Sequence, residues 1–208
     1  MFVVFGVTSG RTSRVFEGRY KGDDDVRDVH ESGFPRMGGG LRSFEVVDDP
    51  KALVLWSFDI PGYETRIYSE IKEWATRILC PRVDNSTYLL PDISLLDSLG
   101  PLAGDDARSV VYYVRPLDRE FVNNALRDTL KELKALIARD VGNLLRARGA
   151  AVSRIVSKLS VISDETLSSA KLWVDKGFDV DLNELYALAG IVETAINLKT
   201  RKSQGLTV

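Results

Sequence analysis

The sequence predicts an α+β protein with three parts: a β-rich N-terminal extension, a central sheet unit and a C-terminal helical bundle. Residues 1–50 contain short apolar or alternating runs separated by turn residues. Residues 51–117 alternate strand-like and helix-like patterns. Residues 118–208 carry apolar side chains at every third or fourth position, which is the helical period. We therefore expect three domains with these boundaries.

The N-terminal extension contains three strand candidates, at residues 2–7, 15–20 and 43–49. The loop GVTSGRTS (6–13) follows the first strand as a phosphate-binding loop would, but its spacing is one residue too short and Arg11 replaces the lysine. This mismatch favours a hairpin loop. An acidic run, GDDDVRDVHE (22–31), could hold a divalent cation, but it lacks the spacing of a calcium-binding loop, which favours a solvated turn.

The central unit begins with the apolar run KALVLWSFDI (51–60), a strand that Pro61-Gly62 ends. A helix follows, with four residues on one face: Ile67, Ile71, Trp74 and Ile78. The segment RVDNSTYLLP reads as a tight hairpin around Asp84-Asn85. A short helix within 93–104, ending near Gly100-Pro101, and a buried strand at 109–114 complete the unit.

The resulting order across residues 52–116 is strand, helix, strand, strand, helix, strand. This is the split βαβ, or ferredoxin-like, order. It predicts a four-stranded sheet with two helices on one face. In the alternative interpretation, the hairpin segment is an irregular loop and the sheet has three strands.

The C-terminal zone predicts four helices. The first is long, running from Asp118 to Gly149, with Gly142 as a candidate kink. A second covers residues 151–162, and Ser163-Asp164 can cap a third that ends near Gly177. Asp181 can cap the fourth, which ends in basic residues.

Charge is unevenly distributed within this helical zone. Residues 141–158 contain four basic residues and no acidic residue: Arg146, Arg148, Arg154 and Lys158. Residues 159–198 contain seven acidic residues against two lysines. The basic segment could bind the phosphates of a nucleic acid. In the alternative, it pairs with acidic residues of the same chain or of another subunit.

Two further residues are candidates for chemistry. Asp59 lies at the end of the first strand of the central unit, where open sheets carry functional loops, so it could bind a metal ion such as Mg²⁺ or simply end the strand. Cys80 has no visible base and reads as a small buried thiol. His30 is the only histidine in the sequence, which excludes a histidine-rich zinc site.

A family resemblance rests on short motifs in the central unit. Phe58-Asp59-Ile60-Pro61 ends the first strand, Arg66 lies early in the following helix, and Ser86, Tyr88, Leu90 and Pro91 mark the hairpin. Residues 52–116 resemble the ferredoxin-like domain shared by the small CRISPR adaptation subunits, the phenylacetate-type repressors and the chromate-resistance regulators. In the nuclease-fold branch, the resemblance implies that Asp59 binds a metal ion and pairs across a dimer. The N-terminal extension and the helical zone depart from that branch, and residues 1–50 do not resemble the winged helix of the repressors.

Composition sets the broad class. The net charge is −2, and no apolar run approaches the length of a membrane helix, so we expect a cytoplasmic protein with no membrane partner. One glutamine, one cysteine and an excess of arginine over lysine indicate a thermophilic prokaryote, such as an archaeon, or its virus.

The expected function is that of a nucleic-acid-associated protein in defence, mobile-element biology or regulation. It would form a homo-oligomer, such as a dimer, and contact DNA or RNA through the basic helical segment, the ferredoxin-like sheet and Arg66. The alternative is a non-catalytic assembly or adaptor protein that docks on a partner through its helical domain. A metal-dependent hydrolase or nuclease at Asp59 is the third reading, and it alone needs a cofactor, Mg²⁺.

Overall fold

The computed structural model describes residues 2–6, 14–18, 42–60, 65–84, 86–104 and 107–203. Its strands are β1 (Phe2–Gly6), β2 (Arg14–Gly18), β3 (Arg42–Val46), β4 (Leu53–Asp59), β5 (Arg82–Asp84), β6 (Thr87–Leu90) and β7 (Arg108–Pro116). Its helices are α1 (Thr65–Arg77), α2 (Leu96–Ala103), α3 (Arg119–Arg146), α4 (Ala150–Val161), α5 (Leu167–Asp175) and α6 (Leu182–Ser203). None of these helices combines the length and the apolar character that crossing a membrane requires.

The seven strands form one sheet in the order β2-β1-β3-β7-β4-β6-β5, and every neighbouring pair is antiparallel. The predicted α+β class is therefore confirmed. β4 lies inside the sheet, with Leu55 opposite Leu89 of β6 and Tyr112 of β7. β3 pairs with both β1 and β7, so the N-terminal strands join the same sheet.

Successive residues of β4 enter two separate cores, because side chains alternate between the faces of a strand. Val54, Trp56 and Phe58 pack with buried residues of α1 and α2. Leu53 and Leu55 belong to a second core, which includes buried residues of α3, α4, α5 and α6. The sheet thus carries α1 and α2 on one face and the C-terminal helices on the other. This two-sided cover explains why β4 is apolar without alternation. The division of the chain into three domains stays a prediction.

α1 ends in a turn that only glycine usually adopts. The Cys80 N–H donates to the carbonyl of Ala75 at 2.8 Å, and the Leu79 N–H donates to the carbonyl of Thr76 at 3.2 Å. This is the hydrogen-bond pattern of a Schellman motif, whose central residue has a positive φ. Here that residue is Leu79, with φ of +52°. Trp173 Nε1 donates to the Leu79 carbonyl at 2.8 Å, so a buried side chain of α5 holds the turn in place.

Side-chain caps begin α3 and α6, and the second of them, at Asp181, confirms a predicted cap. The Asp118 carboxylate accepts a hydrogen bond from the Glu120 N–H at 2.9 Å, and the Asp181 carboxylate accepts one from the Glu184 N–H at 3.0 Å. These contacts satisfy backbone donors that the first turn of a helix leaves free. α3 continues without interruption through Gly142.

The helix break predicted at Ser163-Asp164 is wrong. A π-helical turn, Ile162–Thr166, carries the chain directly from α4 into α5. The Thr166 hydroxyl donates to the backbone carbonyl of Arg77 at the end of α1. This tertiary contact anchors the continuous helix to the end of α1 at the π-helical turn.

Candidate nucleic-acid interface

A groove between α1 and α4 brings together residues that lie far apart in the sequence. We call it the α1–α4 groove; its volume is about 450 Å³. It is lined by Arg66, Ser69, Glu70, Glu73 and Trp74 of α1, Leu102 of α2, and Arg154 and Lys158 of α4. Three of the five cations that the sequence singled out therefore meet at one surface: Arg66, Arg154 and Lys158.

The three cations are in different electrostatic situations. Arg66 Nε forms an exposed ion pair with Glu70 at 2.9 Å, and Lys158 Nζ binds Glu73 at 2.9 Å. Arg154 is exposed and has no hydrogen-bond or ion-pair partner among the described residues. With three cations and two carboxylates, the lining of the groove carries a net charge of +1. Arg154 is the cation that can bind an anion without first leaving a carboxylate.

The floor of the groove is apolar and aromatic. Leu102 and the half-buried indole of Trp74 both pack against the core beneath α1 and α2. The indole Nε1 of Trp74 is buried and has no hydrogen-bond partner in the described part of the chain. An aromatic floor with a cationic rim is the arrangement that binds a single nucleic-acid strand, because bases stack on the ring while phosphates meet the cations.

Beneath the groove lies a set of five charged side chains that we call the ion network. Arg77 is fully buried and contacts two carboxylates, Glu73 at 3.0 Å and Asp140. Arg139 binds both of them as well, Glu73 at 3.1 Å and Asp140 at 3.0 Å. Lys158 completes the set through Glu73, and its own backbone carbonyl accepts a hydrogen bond from Arg77 at 3.2 Å. The network ties α1 to α3 and α4, so it fixes the two walls of the groove relative to each other.

The network keeps Glu73 ionised. Burial alone would raise the pKa of Glu73, but hydrogen bonds from Lys158, Arg77 and Arg139 outweigh burial and lower this pKa to about 2. Glu73 therefore stays negative at any pH near neutrality. It holds Lys158 at the edge of the groove with its ammonium group in place.

The other two predicted cations lie away from the groove lining. Arg146 is at the end of α3, where it donates to the Asn143 side chain at 3.1 Å, and Arg148 follows in the turn before α4. Both are exposed. They add positive charge to the connection between α3 and α4, but they do not line the groove.

Among the described residues, Asp59 has no neighbours that would complete a metal site. Its side chain is exposed at the end of β4, and its partner across the strand pair is Arg108 of β7. Within the described residues, no group of three His, Cys, Asp or Glu side chains could hold a metal ion. The acidic run 22–31, with His30, lies outside the described residues, as do all positions after Gly6 in the loop 6–13.

Cys80 is the buried thiol that the sequence predicted. Burial raises the pKa of this thiol far above its ordinary value, so the reactive thiolate form is suppressed. Tyr88 lies nearby, and burial raises its pKa to about 12. Neither group is suited to nucleophilic or acid–base chemistry at neutral pH.

Sequence reasoning missed five residues of the groove lining: Ser69, Glu70, Glu73, Trp74 as a groove residue, and Leu102. The spacing of Glu73 and Arg77, four residues apart with the acid first, is a readable signal for a helical ion pair. Trp74 fell on the predicted apolar face of α1, which pointed to the core and not to a ligand. Leu102 carried no signal at all.

Comparison of the chain with models of protein families, with curated proteins and with solved structures gave no match.

Proposed function

We propose that this is a nucleic-acid-associated protein that binds single-stranded DNA or RNA in the α1–α4 groove. One observation carries the proposal: Arg66, Arg154 and Lys158 converge from two helices above a floor that contains Trp74. Phosphates would bind at the cationic rim, and a base would pack against the indole.

The proposal includes a ferredoxin-like identity for residues 52–116. It is supported by the order β7-β4-β6-β5 within the sheet. β6 is antiparallel to both β4 and β5, so β4 and β5 run parallel, are joined through α1 and are split by a third strand. This is the split βαβ arrangement. Fold alone does not assign a function, so the groove and not the sheet carries the functional argument.

The expected affinity is modest and depends on salt. Each phosphate contact to a single strand adds about −0.7 to the slope of log K against log salt, so three groove cations give a slope of about −2. Arg66 and Lys158 must exchange Glu70 and Glu73 for phosphates, which reduces their net gain. Arg154 has no such competitor among the described residues and should contribute most.

The test is fluorescence anisotropy with labelled single- and double-stranded DNA and RNA across a salt series, with and without magnesium. We expect Arg154→Ala to weaken binding of single strands and to make the negative slope of log K against log salt shallower by about 0.7. Lys171→Ala is the matched control, because Lys171 is also exposed and without a partner among the described residues, but lies on α5 outside the groove. If both variants lost binding equally, the nucleic acid would be responding to the overall positive charge of the protein and not to the groove, and the groove assignment would fail.

A second substitution tests the groove in the opposite direction. Glu70→Gln removes the carboxylate that holds Arg66, so we expect single strands to bind more tightly. A purely structural role for this exposed pair predicts no gain. Absence of binding by every probe at low salt would refute the proposal.

The second candidate, a non-catalytic assembly or adaptor protein, is favoured by a different observation. α6 exposes large apolar side chains, among them Tyr186, Ile191 and Leu198. This surface lies on a helix that contributes nothing to the groove lining. The two functions are compatible, because the groove and this surface share no residue.

A further inference from the structure

α6 exposes a face that is almost free of charge. Between Asn183 and Thr200 its exposed residues are Asn183, Tyr186, Ala187, Gly190, Ile191, Glu193, Thr194, Asn197, Leu198 and Thr200, of which Glu193 alone is charged. Ile191 is 56% exposed and Leu198 is 42% exposed. A solvated helix face normally carries charged and polar residues. This one resembles the core of an interface, where charged residues are depleted.

The central stripe of this face consists of Ala187, Gly190, Ile191, Thr194 and Leu198, whose spacing of three and four residues places them in line. We call it the α6 face. A Cβ atom built on Gly190 would meet nothing within 4 Å, so no described residue covers the middle of the stripe. The opposite side of the helix already packs in the core, where Leu185, Val192 and Ala195 are buried. The α6 face is therefore surplus to the fold of one chain.

Charge at the two ends of the helix selects the partner. Asp181 and Glu184 lie at the N-terminal end, and Lys199 and Arg201 lie at the C-terminal end. Glu184 also pairs with Lys134 of α3, and Lys199 donates to backbone carbonyls at the C-terminal end of α3, so Asp181 and Arg201 are the charges with fewest contacts among the described residues. A second α6 helix packed antiparallel brings each acidic end beside a basic end, whereas parallel packing brings like charges together. The same surface then serves on both molecules, as a two-fold interface requires.

We propose that the α6 faces of two copies of this chain pack antiparallel across a two-fold axis to form a homodimer. With the axis between Ile191 and Thr194, Ile191 of one copy faces Thr194 of the other, and Ala187 faces Leu198. Glu184 then lies near Arg201 of the second copy. The small side chains at Ala187 and Gly190 let the two helices approach closely. The proposal is independent of nucleic-acid binding, since no residue of the α6 face lines the α1–α4 groove.

The first experiment is sedimentation velocity of the full chain over a wide concentration range. We expect a monomer–dimer equilibrium that Ile191→Asp shifts towards monomer. The dissociation constant should rise by about a hundredfold, because each dimer loses two buried isoleucines and gains two carboxylates in the middle of the interface. Val174→Asp on α5 is the control: Val174 is 38% exposed and lies outside the α6 face, so the equilibrium should not move.

Disulfide trapping tests the orientation. Ala187 and Leu198 are about 16 Å apart along their own helix, too far for a bond within one chain. In the antiparallel dimer, a chain with both Ala187→Cys and Leu198→Cys should cross-link on oxidation, and either single variant should not. Cys80 is buried and does not compete. Cross-linking by Ala187→Cys alone would indicate parallel packing and overturn the proposal.

A chain that stays monomeric at every concentration would also overturn it and leave the α6 face to a different protein. Nucleic-acid binding measured on the same samples keeps the two proposals separate, because a monomeric Ile191→Asp variant should retain its groove.

Discussion

Arg77 gives the sharpest test of the structure, because its side chain is fully buried with two carboxylates. Arg77→Met keeps much of the side-chain volume and removes the charge. Glu73 keeps Lys158 and Arg139 as partners, but Asp140, which is only 7% exposed, keeps Arg139 alone. Breaking a buried ion pair by removing one partner costs about 3–5 kcal/mol when the remaining charge is left uncompensated. Here the half-exposed Arg139 still compensates Asp140 in part, so we expect a loss of unfolding free energy near the lower end of this range.

The assay is urea unfolding followed by tryptophan fluorescence, in a cycle of Arg77→Met, Asp140→Leu and the double variant. The double variant should be much more stable than the sum of the two single losses predicts, because it leaves no unpaired charge beside the missing arginine. Arg127→Met is the control: Arg127 makes two ion pairs at the surface, with Glu120 and Asp179, and its removal should cost far less. A small loss for Arg77→Met, or strictly additive effects in the cycle, would refute the reasoning.

Two further predictions concern stability. The pKa of Glu73 is lowered from about 4.5 to about 2 in the folded chain, so its contribution is complete above pH 4.5 and is lost as the pH falls towards 2. The difference in urea midpoint between the native chain and Glu73→Gln should shrink over that window, and a difference that is constant with pH would contradict the assignment. Trp173→Phe removes the hydrogen bond to the Leu79 carbonyl and leaves space in the core, so urea unfolding should show a loss of about 2–3 kcal/mol. A loss below 1 kcal/mol would show that the indole does not hold the Leu79 turn.

Local pattern was sufficient for much of the fold. The apolar run before Asp59 predicted β4, because a strand covered on both faces needs no alternation. Apolar periodicity predicted the start of α3 near Asp118, and Asp181 predicted the start of α6, since a cap acts through backbone groups two or three residues away. The hairpin of β5 and β6 also followed from turn residues. In each case the deciding interactions are close in sequence or repeat with the period of the element.

The parts that could not be predicted depend on contacts between distant segments. Periodicity does not show that α3 to α6 cover the second face of the sheet. In place of the helix break expected at Ser163-Asp164, a π-helical turn contacts the carbonyl of Arg77 through Thr166, 89 residues away. The groove itself arises because α1 and α4 lie side by side, which brings Arg66 next to Arg154. Counting basic residues along the chain grouped Arg146 and Arg148 with the groove cations, although both lie outside the cavity.

The ion network and the groove share two residues, and this overlap decides which cation can serve a ligand. The network holds three cations against two carboxylates, so one positive charge is surplus to internal pairing. Arg77 is fully buried and cannot be that charge, whereas Lys158 is 43% exposed and lines the groove. If a phosphate draws Lys158 away, Glu73 still accepts hydrogen bonds from Arg77 and Arg139, so the helices stay joined. The arrangement therefore offers Lys158 and Arg154 to an anion while Arg77 keeps the walls of the groove in place.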